Sequence, residues 1–299
     1  MSRRHPTGRD INGIILLDKA SGLTSNAALQ KVKRLFNANK AGHTGALDPL
    51  ASGILPICLG QATKIAQFLL ADDKCYLVRG RFGQNTDTAD CEGKITQQRA
   101  FEHLRLSEIK ACVQSFVGDI LQVPPMFSAL KKDGQPLYKL ARQGLKIERQ
   151  PRPVSIYKIK YLGYENGILS LEVACSKGTY IRTLIEDIGN KLGCGAVVIE
   201  LRRIGFSQFE IAQSIKFDDL EKLKTDDYKM LDLQLLPSEK MLTFESIFLD
   251  KLQSIEISFG RKISVKSADN LVKIFDEKSV FLGIGQVENG VLQPKRLFI

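Results

Sequence analysis

The sequence predicts a mixed α/β (α+β) fold, in which strands and helices interleave irregularly around a mixed sheet, and three observations carry that prediction. Helix-period and strand-period segments succeed one another without the steady βαβ rhythm of a doubly wound sheet. Two Asn-Gly pairs, Asn166-Gly167 and Asn289-Gly290, each separate two β-rich runs, the pattern of a tight hairpin. Finally, 299 residues exceed the usual single-domain size and favour one large domain followed by a small one.

Taken in order, Ile11 to Leu17 reads as a strand, and Ser21-Gly22-Leu23-Thr24-Ser25 breaks it and caps a helix from about Asn26 to Phe36. A long glycine-bearing loop follows. Ala62 to Leu70 is helical by pattern, Tyr76 to Phe82 a strand, and Ser107 with Ile109, Val113, Phe116 and Val117 marks another helix. Val154 to Tyr164 and Ile168 to Cys175 form the first hairpin. Thr179 is placed to cap a helix ending at Gly193, and Val197 to Phe206 returns as a strand. The acidic, Leu-rich stretch from Phe217 to Leu236 reads as one helix stopped by Pro237. From about Phe244 short β segments take over: Val272 to Phe275, Val280 to Gln286 and Val291 to Leu292. The expected division is a basic tail at 1–10, a main domain at 11–243 and a small β domain at 244–299.

The chain is 43% hydrophobic and 25% charged, and no apolar run approaches the ~20 residues that span a bilayer. With no signal-type leader at the N-terminus, a cytoplasmic location is expected. The six cysteines are scattered, with no CxxC and no paired Cys/His spacing, so reduced thiols are expected and no metal site. Neither a GxGxxG nor a P-loop pattern occurs, which leaves no motif for a nucleotide cofactor. No extended heptad or apolar stripe asks for a second copy, and a monomer is expected.

The net charge of +10 is unevenly spread. Residues 1–40 hold eight Lys/Arg against two Asp/Glu, and residues 131–160 hold nine against two. By contrast, residues 211–250 carry five Lys against nine acids. Two basic stretches far apart in sequence point to a polyanionic partner.

Asp48 stands in Gly42-His43-Thr44-Gly45-Ala46-Leu47-Asp48-Pro49-Leu50-Ala51-Ser52-Gly53, a loop in which the backbone turns tightly and a carboxylate can face a ligand. Further on come Lys74-Cys75-Tyr76, Thr86-Asp87-Thr88-Ala89-Asp90, Ser176-Lys177-Gly178-Thr179-Tyr180-Ile181-Arg182 and Leu201-Arg202-Arg203-Ile204-Gly205. In order and spacing this set resembles the TruB family of tRNA pseudouridine synthases, from near Gly13 to the end of the chain. The resemblance implies an isomerase that needs no cofactor, converting uridine 55 in the tRNA T loop to pseudouridine after flipping it out of the RNA.

Carried over residue by residue, Asp48 matches the family's essential aspartate, Tyr76 its active-site tyrosine, Arg182 the arginine paired with that aspartate, and Leu201 an apolar pocket residue. His43 and Lys19 match active-site neighbours, and Asp90 stands at the margin of the set. Asp87 and Asp90 also read as loop-ordering groups, since Thr-Asp-Thr runs bond readily to their own backbone. Residues 124–153, with Lys131, Lys132, Lys139, Arg142, Lys146, Arg149 and Arg152, resemble an insertion that folds against the tRNA T arm; RNA-guided relatives are shorter here. The small C-terminal domain resembles the PUA type of RNA-binding module.

The residue types suit the chemistry. The carboxylate must act ionised, either as a nucleophile on uracil or ribose or by taking a ribose proton. An arginine beside it lowers its pKa and offsets desolvation. A tyrosine offers a ring for stacking and a hydroxyl near C5, where the last proton leaves. The competing reading is a non-catalytic tRNA-binding or tRNA-folding protein, which has no physical need of the Asp48, Tyr76 and Arg182 set.

Overall fold

The computed structural model describes residues 8–70 and 72–298; most of the basic tail expected at 1–10 lies outside them. Ten strands form one mixed sheet, and eight of them run in the order Ile215–Lys216, Gly13–Lys19, Ser52–Leu59, Ala196–Phe206, Lys74–Phe82, Ile168–Cys175, Arg152–Glu165 and Gly118–Gln122. Ala41–His43 pairs with Ser52–Leu59, and Phe209–Glu210 with Ala196–Phe206. The neighbours Gly13–Lys19/Ile215–Lys216 and Ser52–Leu59/Ala196–Phe206 are parallel and the others antiparallel, so the sheet is mixed, as expected.

The Ile14 to Leu17 run is continuous because its strand is buried on both faces. Ile15 and Leu17 join the main core with the helix Ser25–Leu35, while Ile14 and Leu16 join a second core that includes Ile54, Phe206 and Ile284. That second core is where the C-terminal sheet rests. Its five strands, Glu245–Phe248, Leu271–Phe275, Phe281–Glu288, Val291–Leu297 and Ile263–Ser264, enclose a small core of their own around Val272, Ile274 and Val287. Phe68 meets Phe244 edge-on at 5.9 Å, and Lys64 Nζ donates to the Leu297 carbonyl at 2.6 Å, tying the two sheets together.

Both Asn-Gly turns appear where the sequence puts them, with positive φ at Asn166, Gly167, Asn289 and Gly290, as a two-residue hairpin loop requires. Thr24 caps the first helix, accepting from the Ala27 amide at 3.1 Å. Three helix assignments change. The stretch Ala62 to Leu70 is a 3-10 turn, Gly60–Lys64, followed by one turn of α-helix, Ala66–Leu69. The acidic stretch is two short helices, Phe217–Lys222 and Lys229–Asp232. Between them the Thr225 hydroxyl bonds Asp227, whose carboxylate also accepts the Lys229 amide, and Tyr228 turns left-handed, so local side-chain bonds interrupt the helix. Thr179 does not cap Ile181–Lys191: Tyr180 holds that position, and the Thr179 hydroxyl donates to the Ser176 carbonyl at 3.0 Å.

One apolar stripe escaped the sequence reading. Leu252 and Ile255 on the helix Lys251–Ser258, with Phe259 after it, are exposed by 76%, 43% and 74%.

The helix Ile181–Lys191 lies against the strand Lys74–Phe82 because Gly80 leaves room: a Cβ there would stand 2.6 Å from Ile185. This close approach carries Arg182, in the first turn of the helix, to the loop bearing Asp48.

Candidate active site

The Asp48 loop runs from the end of Ala41–His43 into Ser52–Leu59 and is pinned on three sides. Ser25, buried in the first turn of the first helix, donates its hydroxyl to the Leu47 carbonyl at 2.9 Å and accepts the Leu47 amide at 2.7 Å. Pro49 is held through its carbonyl by the Gly22 amide at 2.8 Å and by Lys19 Nζ at 3.4 Å. Arg203 Nη2 donates to the Gly45 carbonyl at 2.9 Å. Asp48 is thus flanked on each side by a fixed backbone.

Arg182 is 4% exposed and spends its whole fork locally. Its Nε lies 2.8 Å and its Nη2 3.1 Å from the two Asp48 oxygens, a side-on pair. Nη2 also donates to the Phe127 carbonyl at 2.8 Å, and Nη1 to the Thr88 carbonyl at 2.7 Å, with Asp90 Oδ2 at 3.5 Å from Nη1. Asp90 is 6% exposed and accepts the Thr88 hydroxyl at 2.6 Å and the Glu92 amide at 3.1 Å, so it both orders its loop and faces the guanidinium.

Burial pushes the Asp48 carboxyl above the ordinary aspartate value, against the downward pull of the Arg182 charge. Asp90 adds to the rise, while hydrogen bonding to Arg182 and the Lys19 charge oppose it. The Arg182 charge thus offsets only part of the effect of burial on Asp48.

Tyr76 and Leu201 are 9% and 7% exposed and belong to the same core. Tyr76 lies opposite Arg203, and Leu201 opposite Val78, across one pair of antiparallel strands. Burial raises the Tyr76 hydroxyl, and the Arg203 charge draws it back down. Lys19 is 1% exposed and donates to the Ala20 and Leu23 carbonyls at 2.8 and 2.7 Å as well as to Pro49; burial brings it down to about 8. His43 is half-buried, its Nδ1 has no hydrogen-bond partner among the described residues, and burial, with the Arg203 charge, lowers it below the usual histidine value. All six residues expected at the site therefore meet around one loop or the strands beside it.

A cavity of about 580 Å³ opens next to this cluster, lined by Leu50, Ser52, Val78, Cys91, Leu201 and Arg202 among others. Asp48, Tyr76 and Arg182 are outside its lining, so the cavity is open space beside the ion pair. Among the described residues no group of three or more His, Cys, Asp or Glu is placed to hold a metal ion.

Four residues escaped the sequence reading. Ser25 and Arg203 brace the loop as described. Gln122, 1% exposed, donates to the Tyr180 carbonyl at 3.1 Å and accepts its amide at 2.8 Å, locking the start of the helix that carries Arg182. Tyr180 is half-buried, with Arg182 and Asp48 among the charges it senses. Tyr180 and Arg203 lay within motifs already noted; nothing local signals Gln122 or Ser25.

In the insertion, Lys131, Lys132, Lys139, Arg142 and Lys146 are exposed. They lie on or beside a small hairpin, Lys131–Lys132 with Gln135–Pro136, and the helix Leu137–Arg142. Arg149 differs: it is half-buried and donates to the Ile147 and Pro124 carbonyls at 3.2 and 3.0 Å, closing the neck of the insertion.

The architecture matches chains in two solved assemblies. One is a Cbf5-Nop10-Gar1 complex, with TM-score 0.74 and 25% identity over 96% of this chain and 85% of that one. The other, an H/ACA RNP bound to a substrate RNA containing 2′-deoxyuridine, has TM-score 0.72 at 23% identity and the same coverage, a likeness of fold. Sequence likeness places this mixed sheet in an isomerase of the pseudouridine synthase class.

The sequence model of the TruB family pseudouridylate synthase N-terminal domain matches residues 33–181, that of the tRNA pseudouridylate synthase B C-terminal domain residues 182–243, and that of the pseudouridine synthase II TruB C-terminal region residues 246–298. Curated relatives called tRNA pseudouridine synthase B include one from Haemophilus influenzae strain 86-028NP, 47% identical over 99% of this chain and 98% of its own length. Another, from Actinobacillus succinogenes, is 47% identical over 97% and 95%, and one from Pasteurella multocida 46% identical over 99% and 98%. The chain belongs to the TruB family of pseudouridine synthases.

Proposed function

We propose that this chain isomerises uridine to pseudouridine in tRNA, at position 55 of the T loop, and that Asp48 is the carboxylate on which the reaction depends. The observation that carries the reading is the side-on Arg182–Asp48 pair, 2.8 and 3.1 Å, in a chain alike end to end to enzymes called tRNA pseudouridine synthase B.

The reaction breaks the C1′–N1 bond, turns the uracil while it is held, joins C1′ to C5, and moves the C5 proton away while N1 gains one. No electrons are lost or gained. Asp48, ionised, either attacks the base or ribose or removes a ribose proton, and Arg182 holds it at one angle through either route. Tyr76 and Leu201 form the walls for the detached ring, with the Tyr76 hydroxyl on the side of the departing C5 proton. Lys19 keeps the Pro49 end of the loop in place, and His43 lies where the neighbouring nucleotide passes.

Lys131, Lys132, Lys139 and Arg142 take the phosphates of the T arm, with Arg149 shaping the neck beneath them. Residues 11–243 act as the catalytic unit, with its insertion at about 124–153, and residues 244–299 as a PUA-like RNA-binding unit; the protein works as a cytoplasmic monomer without a cofactor. Tritium release from tRNA transcripts carrying 5-tritiated uridine tests the reading. Release from wild-type transcripts but not from those with cytidine at position 55 is expected, and no release from either refutes it.

A further inference from the structure

Arg203 is the largest side chain that is almost wholly buried, at 1% exposure, yet among the described residues it forms no ion pair. A buried guanidinium is ordinarily matched by a carboxylate, because desolvating an unmatched charge is costly. Here the matching is done by carbonyls and a ring. Nε donates to the Ile54 carbonyl at 2.7 Å and Nη2 to the Gly45 carbonyl at 2.9 Å, while the Phe206 ring lies 5.4 Å from the guanidinium carbon. A Cβ on Gly45 would stand 3.3 Å from Nη1, so the loop backbone rests directly on the guanidinium. Across the strand pair its register partner is Tyr76.

We propose that Arg203 is a positioning residue of the isomerisation, holding the Asp48 loop to the sheet at Gly45 and presenting an unneutralised positive charge to the Tyr76 hydroxyl. The inference rests on the function proposed above. A lysine or a neutral side chain could fill the space; only a guanidinium reaches Gly45 and Ile54 together while keeping a charge beside the tyrosine. That charge favours hydroxyl orientations that turn the oxygen towards Arg203 and the hydrogen towards the pocket. It also favours any negative charge that builds up on the tyrosine oxygen or on the base as the C5 proton leaves, and being fixed before the reaction it needs no rearrangement then.

The same charge is felt by the neighbours from every element packed around it. Tyr76 and Lys74 lie on one strand, Lys19 on another, and His43 beside the loop, and the Arg203 charge lowers each of them. His43 makes this readable, since burial and the Arg203 charge are the influences that depress its imidazole.

Three measurements on Arg203→Lys and Arg203→Gln test the proposal: single-turnover tritium release at saturating tRNA, tRNA affinity, and the His43 titration followed by NMR. Arg203→Gln is expected to slow release on the order of a hundredfold, with affinity unchanged within about threefold and the His43 midpoint moved up. Arg203→Lys keeps the charge but not both carbonyl bonds, so it should leave the His43 midpoint in place and slow release by a smaller factor, on the order of tenfold. A folded Arg203→Gln that releases tritium at the wild-type rate overturns the proposal, as does a loss of rate matched by an equal loss of affinity, or a His43 midpoint that does not move. Should Arg203→Gln fail to fold, Arg203→Lys decides: wild-type rate overturns the positioning role, and slowed release at unchanged affinity supports it. Tritium release by the wild type is read in the same experiment, so failure of the underlying function is recognised separately.

Discussion

The Asp48 centre and the basic insertion treat charge in opposite ways. Around Asp48 the guanidinium of Arg182 is 4% exposed and meets two carboxylates and two carbonyls. In the insertion, Lys131, Lys132, Lys139 and Lys146 stand in solvent with no carboxylate partner among the described residues. Buried charges must be matched where they sit, which fixes geometry; exposed ones are cheap to leave open and remain available to an incoming polyanion. The two regions touch at the Phe127 carbonyl, which lies at the root of the insertion and accepts from Arg182 at 2.8 Å.

This contrast can be broken most sharply at Asp48. Asp48→Asn keeps shape but not charge, and tritium release is expected to fall by about a thousandfold or more, with tRNA affinity nearly unchanged in a filter-binding titration. At Arg182 the effect extends to stability. Arg182→Met leaves two carboxylates facing each other, and urea unfolding should show a loss of about 3 to 5 kcal/mol together with loss of activity.

Charge reversal in the insertion should do the reverse. Lys131→Glu with Lys132→Glu is expected to weaken tRNA binding and to flatten the plot of log affinity against log salt by roughly 0.7 to 0.9 per lost phosphate contact. Melting temperature and single-turnover rate at saturating tRNA should hold. An unchanged salt slope would remove the insertion from the RNA contact.

The smallest effect is on pH. Since burial raises Asp48 and the ionised form is the active one, release should rise with pH through a midpoint above the ordinary aspartate value of about 3.9. Lys19 opposes that rise, so Lys19→Met should move the acid limb to higher pH. A limb that stays in place or moves down contradicts the arrangement.

Much of this was legible in the sequence. The two Asn-Gly turns dictate hairpins because only such residues accept positive φ at both corners, and the Ile11 to Leu17 run reads as a strand, whose burial on both faces the structure adds. The motif residues come together as their family resemblance implies. The helix at Phe217 to Leu236 was misread because periodicity does not register side-chain bonds such as those of Asp227, which break it locally. Gln122 and Ser25 escaped notice for a related reason: a glutamine or serine becomes a clamp only through a backbone brought to it from 58 or 22 residues away.

By itself, then, the sequence determined the family, the mixed fold and the turns, and it singled out Asp48 as the candidate carboxylate, because these depend on local conformational limits and on residue types in a set order. The tertiary structure alone decided how the charges are matched. It placed Arg182 side-on against Asp48, buried Lys19 where its ammonium ties three carbonyls, let desolvation raise Asp48 against its partner, and left Arg203 held by carbonyls with no ion pair among the described residues. Those outcomes depend on distance and burial, which arise only when remote segments pack together.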